Sequence, residues 1–394
     1  MELLFCELDE YTDAWRSCQV APRDADPDGD PAHRPPTPPA RSCGMTESNP
    51  IDLLVIGAGV AGATAAAAAA EAGLRVRVLE KSRGLGGRCA TRRREVDREV
   101  VRFDHGAQFF TVRDPGFQRR VDAWREAGDV AVWTHGVARW TPGRGIVPAD
   151  DHGHARYVVP AGMSRLARLL IGDVEVQVRQ RATGVAREAA GWRVDVEDGA
   201  PQRARAVLLT APVPQSLALL PPHGAGRASD DGGAPGIDEA AREALESVVY
   251  APSFALMAAD AEAPPAWRGL RLDDHPVLSW IAVDGSKRDP APAGTTWVAH
   301  ASAAYARERF DAPRDEVADE MTAALRELTG RRAAPGWRSL HRWRYALCET
   351  PLDAPHLRLS DGLWAAGDGF GAGRVEGAFL SGRAAADAIL AELD

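Results

Sequence analysis

Lysine is nearly absent from the chain: of its 47 Lys and Arg residues, only Lys81 and Lys287 are lysines. Drift from lysine to arginine explains such a bias and marks the two survivors as positions to follow. Cysteine is scarce as well. Cys6, Cys18, Cys43, Cys89 and Cys348 show no metal-ligand spacing and no disulfide framework. A metal centre is not expected, and the composition suits a reducing cytoplasm. No run of about 18 apolar residues occurs, so no segment reads as a membrane-spanning helix. Positive charge is in deficit, with a net charge of −9, which argues against nucleic acid as a main partner.

Hydrophobic residues are plentiful. At 394 residues, 45% of them hydrophobic, the chain is long enough for two or three lobes. Its first part stands apart. "APRDADPDGDPAHRPPTPPARSCG" is rich in proline and aspartate and lacks hydrophobic periodicity. Such a stretch cannot bury enough surface to offset its ordering entropy. The N-terminus also lacks the basic start and apolar stretch of a secretory signal. Residues 1–48 are expected to be a disordered extension, with Met45 a candidate alternative start. Residues 222–236, "PHGAGRASDDGGAPG", read as a mobile insertion.

"IDLLVIGAGVAGATAAAAAAEAGLRVRVLE" has strand, turn, helix and strand in order. Ile51 to Ile56 is a continuous apolar run, as in a parallel strand buried on both faces. Gly57, Ala58, Gly59, Val60, Ala61 and Gly62 form G-x-G-x-x-G. The first glycine permits the tight turn, the second lets backbone approach a pyrophosphate, and the third lets helix pack on strand. The helix N-terminus offers N–H groups to the phosphates. Glu80 ends the second strand, where an acid meets a ribose hydroxyl and disfavours a 2′-phosphate.

The continuation "EKSRGLGGR" adds a second glycine loop, with Gly84, Gly86 and Gly87 followed by Arg88. Such a loop suits a longer, buried cofactor, and Arg88 is either a phosphate partner or a surface ion pair. The pattern resembles the FAD-binding N-terminus of the flavin amine oxidase superfamily. That resemblance implies an α/β fold: a Rossmann-like FAD-binding domain of the glutathione-reductase-2 type. Inserted in it is an α+β substrate domain on a mixed or antiparallel sheet. The expected FAD-binding parts are residues 51–105, 160–215 and 355–394, with 106–159 and 216–354 forming the substrate domain. It also implies that Lys81 and Ser82 contact the cofactor, and that Gly367-Asp368 of "DGLWAAGDGFGAGRVEGAFLSG" hold ribityl and pyrophosphate. By the same resemblance Ala182 contacts adenine through its backbone, and Thr210-Ala211 pass near the cofactor. Arg374, Val375, Glu376 and Ala378 open a helix whose first N–H groups face flavin N1 and O2. Cys89 and Cys348 raise the question of covalent flavin. The C-terminal turn carries no cysteine, so dissociable FAD is expected.

Further stretches narrow the family: "FDHGAQFFTVRDPGF", "VPAGMSRLARLL", "SWIAVDGSKRDP", "WVAHASAAYARERF", "HRWRYALCETPL" and "AGDGFGAGRVEGAFLSG". Together they resemble the renalase-like group of FAD oxidoreductases over nearly all of residues 51–394. The chain departs from that pattern at Gly369-Phe370, where tryptophan commonly follows glycine-aspartate, and at Arg288, where proline commonly follows lysine. The resemblance implies oxidation of misreduced 2- and 6-dihydro isomers of NAD(P)H to NAD(P)+. Hydride would pass to flavin and electrons to O2, giving H2O2. The substrate would be a dihydropyridine dinucleotide, the protein a monomer or homodimer. Hydride departure releases no proton to abstract, so no Ser/His/Asp or metal constellation is expected.

An aromatic-walled pocket suits a planar dihydronicotinamide. Trp280, Trp297, Trp343 and Tyr345 are its candidates, one or two of which should reach substrate while the rest are core. His105, Ala107 and Gln108 follow the cofactor loop; His105 reads equally as a structural histidine. Lys287 is either a surface turn residue or, as in related amine oxidases, a lysine set through a water near flavin N5. Two other readings stay open: an amine oxidase or desaturase on the same scaffold, and a non-catalytic flavin-binding redox sensor.

Overall fold

The computed structural model describes residues 51–96, 98–149, 153–222 and 237–394. The expectations for residues 1–48, and for all but the first residue of the 222–236 insertion, lie outside them.

The apolar run Ile51–Ile56 is a strand buried from Asp52 onward. It pairs in parallel with Val76–Glu80 on one side and Gln202–Leu209 on the other. The crossover between the first two strands is the helix Val60–Glu71. Its alanines bury almost all of it, because a helix of small side chains packs closely on both neighbours. One neighbour is the closing helix Arg374–Leu393. A Cβ on Gly382 would come within 2.2 Å of the Ala61 carbonyl oxygen, so the two helices touch backbone to backbone. The first and last segments of the described chain thereby share one core.

This lobe holds an eight-stranded sheet. Gln202–Leu209 is long enough for two partners on one edge. Its first half pairs antiparallel with Gly191–Val196, its second half in parallel with Leu363–Ala365. Residues 174–199 alternate as if they formed a small sheet of their own. Instead, Glu175–Val178 pairs with Val76–Glu80, and the hairpin Ala182–Glu188/Gly191–Val196 joins Gln202–Leu209. Period-two alternation records one wet face, which outer strands of a large sheet also have.

The second lobe is a seven-stranded sheet in the order 337–350, 249–260, 295–301, 278–283, 269–272, 138–141, 145–147. All its pairings are antiparallel except that between Gly269–Leu272 and Ala138–Thr141. Its long strands sort their side chains by parity. Phe254, Leu256 and Ala258 pack with Val317, Met321 and Leu325 of the helix Arg314–Thr329. Met257 and Ala259 pack on Val101 and Phe103 of the hairpin Thr91–Val96/Glu99–Asp104, which follows the cofactor loops. The architecture is the expected one: a Rossmann-like α/β lobe and a lobe built on a mixed sheet. Among the described residues no helix is long and apolar enough to cross a membrane.

Candidate active site

The two glycine loops meet. Gly86 N–H donates to the Ala58 carbonyl at 2.9 Å, and Gly87 lies 3.5 Å from Gly59 Cα, measured from an ideal Cβ. Gly57 has φ +109°, which only glycine adopts freely. The Thr210 hydroxyl ties down that turn, donating toward the Ile56 and Gly57 carbonyls at 3.0 and 3.1 Å. Glu80 is 6% exposed. Its two carboxylate oxygens accept the N–H groups of Ala58 (2.9 Å) and Ser82 (2.8 Å), and each keeps a lone pair for a hydroxyl donor. Gln180 N–H donates to the Glu80 carbonyl at 2.9 Å, bringing the segment leading to Ala182 beside that acid. Lys81 donates to Gln215 at 3.1 Å.

Val60, Ala61, Gly62 and Ala63 are buried at a helix start where Gly59 offers no side-chain cap. A buried, uncapped helix end demands partners from elsewhere. A Cβ on Gly59 would meet nothing within 4 Å, whereas one on Gly62 would strike the Gly57 carbonyl oxygen at 2.0 Å. Open space at the second glycine, with N–H groups aimed past it, fits a pyrophosphate. The closing helix is also uncapped at Gly373. Gly367 N–H is held by the Ser381 hydroxyl at 2.8 Å, and the turn before the helix places Gly371, Gly373 and Arg374 at positive φ. The residues present therefore fit FAD.

Arg88 is part of a partly buried ion pair and not of a surface one. Its guanidinium makes a fork on the Asp368 carboxylate, with Nη1 to Oδ2 at 2.6 Å, and lies over the Tyr250 ring at 5.4 Å. Tyr250 donates to Asp368 at 3.0 Å. Glu376 likewise has a use the sequence did not show. Its carboxylate accepts the Arg113 and Asp114 N–H groups at 2.6 and 2.7 Å, fixing the start of the helix Pro115–Glu126. Its own N–H and that of Val375 stay in the first turn of the closing helix. Ala378, by contrast, is core.

The strand Trp337–Thr350 forms one wall. Successive odd positions share a face, and they follow the hairpin and cofactor loop in order. Trp337 stacks on Phe103 with centroids 5.0 Å apart. Ser339 and His341 face Arg92. Trp343 stacks on His105 at 5.5 Å and donates from Nε1 to the His105 carbonyl at 2.9 Å. Tyr345 meets Tyr250 edge-on at 6.0 Å, and its carbonyl accepts from Arg88 at 3.4 Å.

A second row runs across the sheet. Trp280, His300, Ala255 and His341 are direct cross-strand partners in succession. Directly opposed residues lie on one face, so Ala255 leaves a low point between two imidazoles. Phe109 closes one end, 5.6 Å from Trp280. Trp297 is core and not part of this wall. It lies on the opposite face of its strand, 1% exposed, donating to Asp260 and packed on Trp267. His300, His341 and Tyr250 were not singled out from the sequence, although the alternation in "HRWRY" carried the signal for one of them.

Burial pushes His105, His300 and His341 down to about 4, about 4 and about 3. Arg92 adds to the effect at His105, Lys287 at His300, and His105 at His341. All three are neutral at pH 7. The unfolded chain binds these protons first as pH falls, so stability present above about pH 6.5 is lost toward pH 4. Each histidine contributes a slope of about 1.4 kcal/mol per pH unit in that window. Urea unfolding at neutral pH and at about pH 5 checks this, and equal midpoints would contradict it.

Lys287 is buried, not on a surface turn. Its side chain is 0% exposed, and Nζ donates to Asp284 at 2.7 Å and Gln108 at 3.0 Å. Asp104 lies 3.7 Å away, and the Trp133 ring centroid 5.3 Å away. Arg288, the departure from the family pattern, completes the cluster by donating to Asp104 at 2.7 Å and Asp284 at 3.1 Å. Burial would raise the Asp104 carboxyl, but Lys287 and Arg288 overcome this and hold it below its ordinary range. Two acids and two bases thus neutralise one another beside Gln108. Beyond Trp133 lies a separate open cavity of about 660 Å³, lined by Trp267, Ile146 and Arg268 among others. Phe370, the other departure, is 1% exposed core. Cys89 is also buried, its thiol pushed up to about 12 by burial.

Two glycine loops beside a buried acid, two uncapped helix starts and an aromatic wall are the features of a flavin-dependent oxidoreductase. Residues 55–124 match the model of an NAD(P)-binding Rossmann-like domain, and residues 143–390 that of flavin containing amine oxidoreductases. The chain belongs to the flavin containing amine oxidoreductase family, as a renalase-like member whose cofactor is FAD. It is 24% identical over 334 residues to renalase of Mus musculus, covering 81% of this chain and 92% of that one. Its fold is similar to a putative protoporphyrinogen oxidase from Exiguobacterium sp. 255-15, with TM-score 0.64, 15% identity and coverage of 89% and 100%. It is also similar to cyclohexylamine oxidase from Brevibacterium oxydans IH-35A, with TM-score 0.64, 12% identity and coverage of 88% and 100%. These likenesses extend to the fold.

Proposed function

We propose that the protein oxidises misreduced dihydro-NAD(P) isomers, the 2- and 6-dihydro forms, to NAD(P)+. The observation that carries this reading is that the wall holds no free carboxylate and that burial leaves its imidazoles too weakly basic to take up a proton readily at neutral pH. Arg88 is matched by Asp368, Lys287 and Arg288 by Asp104 and Asp284, and the three histidines are neutral. A neutral, flat, largely aromatic surface suits a substrate that loses a hydride and no proton. Bound FAD would supply the hydride acceptor, and O2 with one proton from solvent would take up the electrons and the transferred hydrogen as H2O2.

The chain's own residues bind, orient and exclude water. In this reading Gly57–Gly62 and Gly86-Gly87 approach the pyrophosphate, Glu80 holds the ribose, and Ala182 lies by adenine. Ser82, Lys81, Thr210 and Ala211 brace that end, while Ala107, Gln108, Gly367, Asp368 and Val375 surround the other. Trp280, Trp343 and Tyr345 supply the substrate wall. His105 backs that wall, and Lys287 orients Gln108. The buried, protonated Cys89 thiol supports dissociable FAD. A cytoplasmic setting belongs to the same reading, on the paucity of cysteine.

The test is anaerobic mixing of the yellow holoprotein with 2- and 6-dihydro-NAD(P) and, separately, with small amines. Bleaching of the flavin by a dihydropyridine is expected. Bleaching by amines alone, or by neither, would overturn the proposal.

A further inference from the structure

The open cavity beyond Trp133 has no part in the reaction proposed above. Its volume of about 660 Å³ falls within the range of about 300–1,000 Å³ that takes small organic ligands. It lies beside the last two strands of the seven-stranded sheet, between segments 132–138, 146–149 and 266–268. Trp133 is the partition between it and the aromatic wall. That indole lines the cavity, and its ring centroid is also 6.1 Å from Phe109 and 6.4 Å from Trp280.

The lining sets the chemistry of an occupant. The indoles of Trp133 and Trp267, with Val137, Ile146 and Pro148, give it an apolar surface. Both indoles are held from behind. Trp133 Nε1 donates to the Ser286 hydroxyl at 2.8 Å. Trp267 packs on the buried Trp297 with ring centroids 5.9 Å apart. Aromatic walls fixed before binding cost little ordering and suit a flat ring. The charge of the lining has one sign. Arg268 supplies a guanidinium, His135 is neutral or cationic, and none of the described lining residues is acidic. Arg268 Nη1 donates to the Trp133 carbonyl, and its own carbonyl accepts the Val283 N–H at 2.8 Å. Its guanidinium makes no ion pair among the described residues, so Nε and Nη2 remain as a fork for an anion. A cationic ligand would be repelled there. A neutral one would leave that fork unused.

We infer that this cavity is a binding site for an aromatic acid. The flat ring lies against Trp133 and Trp267, and its carboxylate or phosphate pairs with Arg268. The site is distinct from the cofactor lobe and does not depend on which substrate the flavin oxidises.

Calorimetric titration of the FAD-loaded protein with 2-naphthoate, 2-naphthyl phosphate and 2-naphthylmethanol tests the inference. The ligands share one ring and differ in the head group. At least one acid should bind with a Kd below about 1 mM and at least about tenfold more tightly than the neutral alcohol. Which acid binds more tightly tells a carboxylate ligand from a phosphate one. Arg268→Leu should abolish that preference, and Trp267→Ala should weaken every ligand by about tenfold. No acid binding below about 1 mM, equal affinity for acid and alcohol, or affinities unchanged in either variant would overturn the inference. If Arg268→Leu fails to fold, Arg268→Gln replaces it, because glutamine can still donate to the Trp133 carbonyl. Failure of every dihydropyridine to bleach flavin is a separate outcome, which removes the proposed function and leaves this site standing.

Discussion

Asp104→Ala is expected to cost about 3–5 kcal/mol of unfolding free energy, the range for removing one partner of a buried ion pair. Asp104 is 0% exposed and serves four groups. It accepts from Arg288 at 2.7 Å, from the Thr91 hydroxyl at 2.7 Å and from Met163 N–H at 2.9 Å. It also lies 3.7 Å from Lys287. Alanine would strand two buried cations on the single charge of Asp284 and orphan two neutral donors. Asp104→Asn keeps acceptor capacity for Thr91 and Met163, so it should lose less. Urea unfolding of the three proteins measures the difference. A loss below about 1 kcal/mol for alanine would show that the cluster behaves as an exposed pair does. Lys287→Met, measured in the same series, also tests the lysine's part in oxygen reactivity: an unchanged rate of flavin reoxidation would remove that role.

Neighbouring glycines should give opposite phenotypes. Gly59→Ala adds a Cβ into space where no protein atom lies within 4 Å. The apoprotein should fold with its stability within about 0.5 kcal/mol. FAD affinity should fall by about a hundredfold, or about 2.7 kcal/mol, because the added methyl occupies the pyrophosphate's approach. Gly62→Ala drives its Cβ to 2.0 Å from the Gly57 carbonyl oxygen, a backbone atom that cannot swing aside. It should destabilise apoprotein and holoprotein together. Flavin fluorescence on dilution and apoprotein melting separate the two effects. Retention of FAD by Gly59→Ala would show that the cofactor does not pass close to that backbone.

The meeting of the glycine loops with Glu80 was legible because its signals are local. Gly57, Gly59, Gly62 and Glu80 lie within one strand–helix–strand unit, where spacing alone fixes who meets whom. The substrate half depends on tertiary pairing. Asp104 and Asp284 are 180 positions apart, bridged through the Asp104 N–H to Asp284 contact at 3.3 Å. Nothing in "DGSKRDP" distinguishes a surface turn from one pressed against a hairpin. His300 is opposite Trp280 only through strand register. Trp297 was readable as pocket or core until the parity of its strand was known. The alternation at residues 174–199 was real, but membership of a sheet is a property of neighbours far along the chain.

The strand Trp337–Thr350 carries one further consequence. His341, Trp343 and Tyr345 face the cofactor lobe, while Leu340 packs with the opposite core and Arg342 and Arg344 lie over Phe310. The site's chemistry is therefore written in odd numbers. Inserting or deleting one residue before His341 would not merely shift the wall. It would exchange its aromatic members for two guanidinium groups and drive the aromatics into the helix-packed core. Loop length ahead of this strand decides which of its side chains face the cofactor lobe.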